Sequence, residues 1–351
     1  MVYNHFIFTD PTGREQERSE IKGRPLPTGG KAPLFLVALF AILSIGARTM
    51  SHQADTLKSI FFALGANTAI AVAKFAAALF TGSGAMMAEA IHSLADTGNQ
   101  LLLLLGIKLA KKPPSPDFPL GHGKEVYFWS FIVSLMLFSM GGLFSIYEGI
   151  HKLHDPEPLH APFVALAVLV FSMVAEGVSL WGCMREVNKE RGNSSIVHWF
   201  RQTRKSELLV VFGEDSAALL GLSFATLAVL ASMMTGNPMY DAMGSICIGI
   251  LLVIIAVFVG IEVKSLLVGQ GVEPETRAAM IEFLNNRSEV DTVLNLLTLQ
   301  LGDDVMVAVK ARMNPAETCN GFVENINRCE VAFRKEFPQI LWLFFEPDNK
   351  K

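Results

Sequence analysis

Gly82-Ser83-Gly84-Ala85-Met86-Met87-Ala88-Glu89-Ala90-Ile91-His92-Ser93-Leu94-Ala95-Asp96-Thr97-Gly98-Asn99-Gln100 is the stretch on which the reading of the fold turns. It opens on a Gly-Ser-Gly joint and continues as an apolar run to residue 109. That is enough to supply the ~20 residues a membrane-crossing helix needs. Glu89, His92 and Asp96 interrupt it. Charge inside a span is costly, so an ionisable residue there marks a functional site by default. His92 and Asp96 are four apart and lie one above the other on a helix face. An imidazole nitrogen and a carboxylate oxygen at that spacing form half of a tetrahedral site for a borderline ion such as zinc. The plainer alternative is a buried hydrogen-bonded pair without metal.

Around this stretch the chain has the composition of a membrane protein. Of its 351 residues 51% are hydrophobic and 18% charged, against about 25% charged in soluble domains. Mean hydropathy is +0.39. The net charge of -4 argues against nucleic acid as a partner. Six long apolar stretches, 57–80, 84–109, 126–150, 161–184, 207–234 and 242–263, are expected to span the bilayer. Turn chemistry separates them at Gly82-Ser83-Gly84, Pro113-Pro114-Ser115-Pro116, His154-Asp155-Pro156 and Gly236-Asn237-Pro238. Residues 1–55 are expected to hold a polar, disordered segment without a cleavable signal peptide, followed by the short apolar stretch 33–46, which suits an interfacial segment, an uncleaved hydrophobic region or an extra short span. Four cysteines without CxxC spacing read as structural thiols.

Orientation follows from the basic residues. Lys108, Lys111, Lys112 and Lys124 follow the second span, and Arg185, Lys189, Arg191, Arg201, Arg204 and Lys205 follow the fourth. Both joints are therefore expected on the cytoplasmic side, with the C-terminus. The basic stretch 185–205 reads as a solvated loop. The six-helix part ends near residue 268, and 269–351 reads as a separate α+β domain. Val272–Asn286 is expected to be a helix, Val290–Leu301 and Val305–Met313 strands around a Gly302-Asp303-Asp304 turn, Phe322–Phe337 a helix and Ile340–Phe345 a strand. That order suits helices on one face of a sheet.

Half a metal site needs partners from another helix, and the fifth span supplies Glu214-Asp215. Adjacent helical residues diverge by about 100°, so one is expected to complete the site and the other to face water, a donor or a proton path. Elsewhere, Lys74 in the first span suits a structural ion pair with an acid on a neighbouring helix. Glu148 and Glu176 read as interhelical partners or water-facing groups, and Asn67 and Asn99 as interhelical hydrogen-bond formers. His151, His154 and His160 read as solvated on an outer joint.

The run 82–100 resembles the second-helix signature of the cation diffusion facilitator family, and Leu120-Gly121-His122-Gly123-Lys124-Glu125 is similar to the loop that opens that family's third helix. The resemblance extends from about residue 57 to the end. It implies six transmembrane helices over 56–268, a cytoplasmic ferredoxin-like domain over 269–351, and a homodimeric exporter of zinc or a similar divalent ion. It also implies that transport is driven by counter-flow of protons. No resident cofactor and no enzymatic activity are expected. The implied metal ligands are His92, Asp96 and Asp215, with Glu214 as a substitute for a missing fourth. Family members carry His-x-x-x-Asp on the fifth helix, whereas the position four before Asp215 is Val211 here; a divergent zinc-transporter branch is similar in having Glu-Asp at this place. His198 is the last histidine, so a zinc cluster in the C-terminal domain is not expected, and Cys319 and Cys329 are poor candidates for one. Only His122 offers a nitrogen ligand in the loop before the third helix.

Two other classes compete with transport. The altered fifth helix and the histidine-free C-terminal domain suit a non-transporting membrane regulator or scaffold. An intramembrane metallohydrolase would need a water-activating site with a general base such as Glu214, but no His-Glu-x-x-His pattern accompanies it.

Overall fold

The computed structural model describes residues 53–155 and 161–350, with side chains from Asn67 onward. The N-terminal polar segment, the apolar stretch 33–46 and His160 lie outside the described residues. Lys58–Lys351 forms one compact unit.

Helix α1 (Gln53–Thr81) turns directly into α2 (Gly84–Ala110). Gly82 takes φ +69, a conformation that costs glycine nothing because it has no Cβ. Ser83 caps α2 by accepting from the Met86 amide, and Asp241 of a distant helix accepts from Ser83 Oγ and the Gly84 amide, each at 2.6 Å. Lys152 donates to the Gly82 carbonyl. The hairpin tip is thus held by backbone donors and acceptors that would otherwise be orphaned at a helix start and end.

The third stretch is one 30-residue rod, Glu125–His154, that changes winding midway. It comprises α3 (Glu125–Met136), a π-helical segment Leu137–Leu143, and α4 (Phe144–His154). The π segment was not anticipated. It sits where Gly141-Gly142 removes two side chains, and local π turns of this kind recur at functional sites. Helix α5 (Pro162–Arg191) starts with Pro162, pre-set for a first helical turn. Helices α7 (Ser206–Thr235) and α8 (Met239–Val268) follow the short helix α6 (Ile196–Gln202). Among the described residues, Glu125–His154, Pro162–Arg191, Ser206–Thr235 and Met239–Val268 are long and apolar enough to cross a membrane.

The basic stretch 185–205 departs from its expected form. It is largely helical, because α5 runs on to Arg191 and α6 follows. Trp199 is buried and meets Phe212 edge-on at 5.7 Å between centroids. The cause is the apolar pair Trp199 and Phe200, which packs on Leu208, Val211 and Phe212 of α7 even where basic residues dominate the composition.

The helical core is built from small residues, among them Ala77, Ala78, Ala85, Ala88, Ala217 and Ala225, with Leu137, Leu169, Leu222 and Ile248. Small side chains let helix backbones approach closely where apolar surroundings give no hydrophobic drive for association. Large apolar groups such as Phe163, Trp181 and Met234 point outward.

Past Gly269 the chain forms α9 (Pro274–Asn285), β1 (Val290–Leu301), β2 (Asp304–Met313), α10 (Cys319–Glu336) and β3 (Ile340–Pro347). The sheet order is β1-β2-β3, antiparallel between the first pair and parallel between the second. Met280 and Leu284 of α9 and Cys329 and Phe333 of α10 share one core with Val307, Val309 and Leu343, so both helices cover the same sheet face. Phe283 stacks on Phe333 at 5.9 Å. Gly302, at φ +71, makes the β1–β2 turn, whose tip meets the start of α3. The Gly302 amide donates to Tyr127 Oη at 3.0 Å, and a Cβ on Gly123 would collide with the Leu301 carbonyl.

Candidate functional site

A cavity of about 50 Å³ lies among α1, α2, α5 and α7. Helix periodicity explains which residues reach it. Ser93, Asp96 and Gln100 recur at three and four along α2, Glu176 and Ser179 at three along α5, and Val211, Glu214 and Asp215 at three and one along α7. Four carboxylates, Asp96, Glu176, Glu214 and Asp215, therefore face one small space.

Each acid on α7 has its own anchor. Asn99 Nδ2 donates to Glu214 Oε1 at 2.6 Å, and Ser179 Oγ donates to Asp215 Oδ2 at 3.1 Å. The 100° divergence between neighbours is visible here: Glu214 leans to α2 and Asp215 to α5, yet both still line the cavity. Asn99 has the interhelical role expected of it.

His92 is placed differently. Its Nδ1 stands 3.5 Å from Asp96 Oδ1, so the two are neighbours along α2 as their spacing requires. But His92 is fully buried, lies beside Gly141 of the π segment, and does not line the cavity. Neither of its ring nitrogens has a hydrogen-bond partner, and Asp96 Oδ1 also lacks one. Among the described residues, no three His, Cys, Asp or Glu side chains stand close enough to hold a metal ion in the present arrangement.

Lys74 of α1 approaches the site from behind. It is fully buried and donates to Ser93 Oγ at 2.7 Å, with Glu89 Oε2 at 3.4 Å and Glu176 Oε1 at 3.9 Å. The expected ion pair is present, and Glu176 is both an interhelical partner and a cavity wall. Its place in the site had only one sequence signal, an acid within an apolar span, and nothing local could show that it faces Asp96.

The remaining candidates are separate. His122 packs its ring 4.4 Å from Phe118. Cys319 is exposed, whereas Cys329 lies in the C-terminal core, where burial pushes its thiol up to about 11 and disfavours the thiolate a metal needs. His151 and His154 are exposed at the end of α4.

Several carboxylates enclosed with one lysine are costly unless a cation or protons offset their charge. Oxygen-rich donors with an imidazole close by suit a divalent ion of zinc, manganese, iron or cobalt type.

Comparison with known proteins agrees with this chemistry. A family model described as the cation efflux transmembrane domain matches residues 60–268. Over 231 residues the chain is 34% identical to the mitochondrial proton-coupled zinc antiporter SLC30A9 of Homo sapiens, covering 65% of this chain and 41% of that protein. It is 30% identical over 247 residues to metal tolerance protein C4 of Arabidopsis thaliana, covering 70% of this chain and 54% of the relative. It is 24% identical over 279 residues to the cation-efflux pump FieF of Pectobacterium atrosepticum, covering 77% and 87%. The chain thus spans about half or less of the length of the first two. With its second-helix signature, its apolar helices and a family match over most of the helical part, the chain belongs to the cation efflux family, the cation diffusion facilitators.

Proposed function

We propose that the chain is a multi-pass membrane transporter that exports a divalent metal ion, zinc first among candidates, in exchange for protons. The observation that carries this reading is the cavity where α2, α5 and α7 bring Asp96, Glu176, Glu214 and Asp215 together inside an apolar bundle. The printed names of the relatives, a proton-coupled zinc antiporter, a metal tolerance protein and a cation-efflux pump, support it.

In this reading α1 and α2 cross the membrane with the four more apolar rods, making six spans. The C-terminal α+β unit is a ferredoxin-like domain on the cytoplasmic side, where Lys124 donates to the Leu267 carbonyl and Arg204 to the Gly271 carbonyl at the same end as the basic joints. The working form is a homodimer. The membrane is that of the cell or of an organelle.

The ion loses its water onto Asp96 and Asp215, with His92 and Glu214 completing the set. His92 reaches it after α2 moves relative to the π segment, which gives alternating access a place to pivot. Ligands must be deprotonated to bind, so metal and protons exclude one another from the same groups. Cargo affinity therefore rises with pH on the loading side, and protons arriving from the other side release the ion. A histidine with an ordinary pKa near ~6.5 suits that exchange.

The test is uptake into proteoliposomes carrying a pH gradient, with zinc, cobalt, manganese and iron(II) supplied in turn. Wild-type protein moves zinc and dissipates the gradient, and Asp96→Ala abolishes both. Undiminished uptake by Asp96→Ala would remove the site assignment.

One observation favours a second reading, a non-transporting regulator of the same family: Val211 lines the cavity where a histidine is usual. A wild-type protein that binds the ion in detergent yet gives no flux under any gradient would establish it.

A further inference from the structure

The charges around the cavity are arranged in two layers. Glu176 lies in the wall, facing Asp96, Glu214 and Asp215. Glu89 lies behind it on α2, fully buried and outside the lining. The ammonium of Lys74 stands between the layers, 3.9 Å from Glu176 Oε1 and 3.4 Å from Glu89 Oε2, with Ser93 Oγ at 2.7 Å as a shared anchor. It is the sole buried lysine among the described residues, and no lysine or arginine lines the cavity itself.

Glu89 also holds an unused acceptor. Its Oε1 has no hydrogen-bond partner, and it is pressed so closely against α7 that a Cβ on Gly221 would collide with it. An ammonium has three donors on a flexible four-carbon stem. Lys74 can therefore shift its weight between the wall carboxylate and the one behind without leaving Ser93. A simple structural pair would need only Glu89; the contact with Glu176 is surplus to that purpose.

We propose that Lys74 is a tethered counter-cation of the cargo cavity, competing with the incoming divalent ion for Glu176 and thereby setting how tightly cargo is held. This rests on the reading of the cavity as the transport site. With the cavity empty, the ammonium offsets part of the charge of the enclosed carboxylates. When the ion arrives, like-charge repulsion, with the ion now offsetting the charge of Glu176, drives Lys74 toward Glu89. When the ion leaves, Lys74 returns. It is a positioning and affinity-setting residue and does not ligate the cargo. Its function is to keep a strongly acidic pocket from becoming a trap.

The test uses the full chain in proteoliposomes with zinc alone, comparing wild type, Lys74→Arg, Lys74→Met and the double variant Lys74→Met/Glu89→Gln. Removing a like charge a few ångström from the ion in a partly shielded site tightens its binding by about tenfold or more. KM for zinc is therefore expected to fall by that factor in both neutral variants while kcat also falls, because release becomes slow. Lys74→Arg keeps both parameters near wild type. The double variant also removes the buried Glu89 charge that loss of Lys74 would leave unpaired, so it separates a folding defect from a transport effect. An unchanged or raised KM in a folded neutral variant overturns the proposal, as does loss of fold in both, which would assign Lys74 to the scaffold. If the wild type itself neither binds nor moves zinc, the transport reading fails and Lys74 falls with it. If the wild type transports and the KM stays fixed, this inference fails alone.

Discussion

At the scale of single residues, the site depends on which way each side chain leaves its helix. Asp96 reaches the cavity because Ser93, Asp96 and Gln100 share one face of α2, while His92, one position before Ser93, is turned by about 100° toward Gly141. Val211 sits one turn before Asp215 and lines the same space. A histidine there would add a neutral imidazole nitrogen, the donor type zinc favours, to a wall whose ligating atoms are oxygens. Val211→His is expected to tighten zinc binding by at least about tenfold, equivalent to about 1.4 kcal/mol, in competition with a chromophoric chelator in detergent. Weaker or equal binding would show that α7 does not present this position to the ion.

At the scale of elements, the helices approach one another through missing side chains. Gly142 in the π segment faces α8 so closely that a Cβ would lie 2.6 Å from Val253 Cγ2 and 3.3 Å from the Gly249 carbonyl. Gly249 returns the contact, with a Cβ there 2.7 Å from the Gly142 carbonyl. Both obstacles include backbone, which cannot rotate aside. Gly142→Val should therefore cost about 1–3 kcal/mol and lower Tm in detergent. Gly182→Ala on α5, where nothing lies within 4 Å, should be neutral or stabilise by up to about 1 kcal/mol through helix propensity. If thermal melts rank the two the other way, close helix contact is not what holds the π segment to α8.

At the scale of the whole molecule, the C-terminal unit is tied to the base of the helical bundle by a few polar contacts. Tyr127 is fully buried at the start of α3, and its Oη accepts from the Gly302 amide at 3.0 Å. The Gly302 carbonyl accepts from the Tyr127 hydroxyl at 3.4 Å and from Gln300 Nε2 at 2.7 Å, but no such substitute serves the amide. Tyr127→Phe is expected to leave that amide unpaired at a cost of about 1–2 kcal/mol. Hydrogen exchange at the Gly302 turn should then quicken roughly tenfold, with α7 and α8 unaffected. Exchange at the turn equal to wild type would mean that the hydroxyl contributes nothing to docking.

Much of this architecture was legible from the sequence because it is local. Apolar runs locate the helices, and their observed ends lie beyond the apolar windows because polar residues such as Glu186 and Lys189 continue α5 along its own backbone hydrogen bonds. Alternating β-branched residues and the Gly302-Asp303 turn locate the strands. The four-residue spacing of His92 and Asp96 makes them neighbours on any helix. The sequence alone, through its second-helix signature, also determined the family.

Only the tertiary structure decided what stands opposite what. Glu176 joins Asp96, Glu214 and Asp215 through a helix eighty residues along from Asp96, Lys74 divides itself between two carboxylates, and His92 turns to a π segment that no periodicity announces. The physical reason is range. Secondary structure answers to side-chain size, polarity and spacing within a few turns, whereas a cavity is set by how the faces of several helices rotate against one another, and that is fixed by packing across the whole bundle.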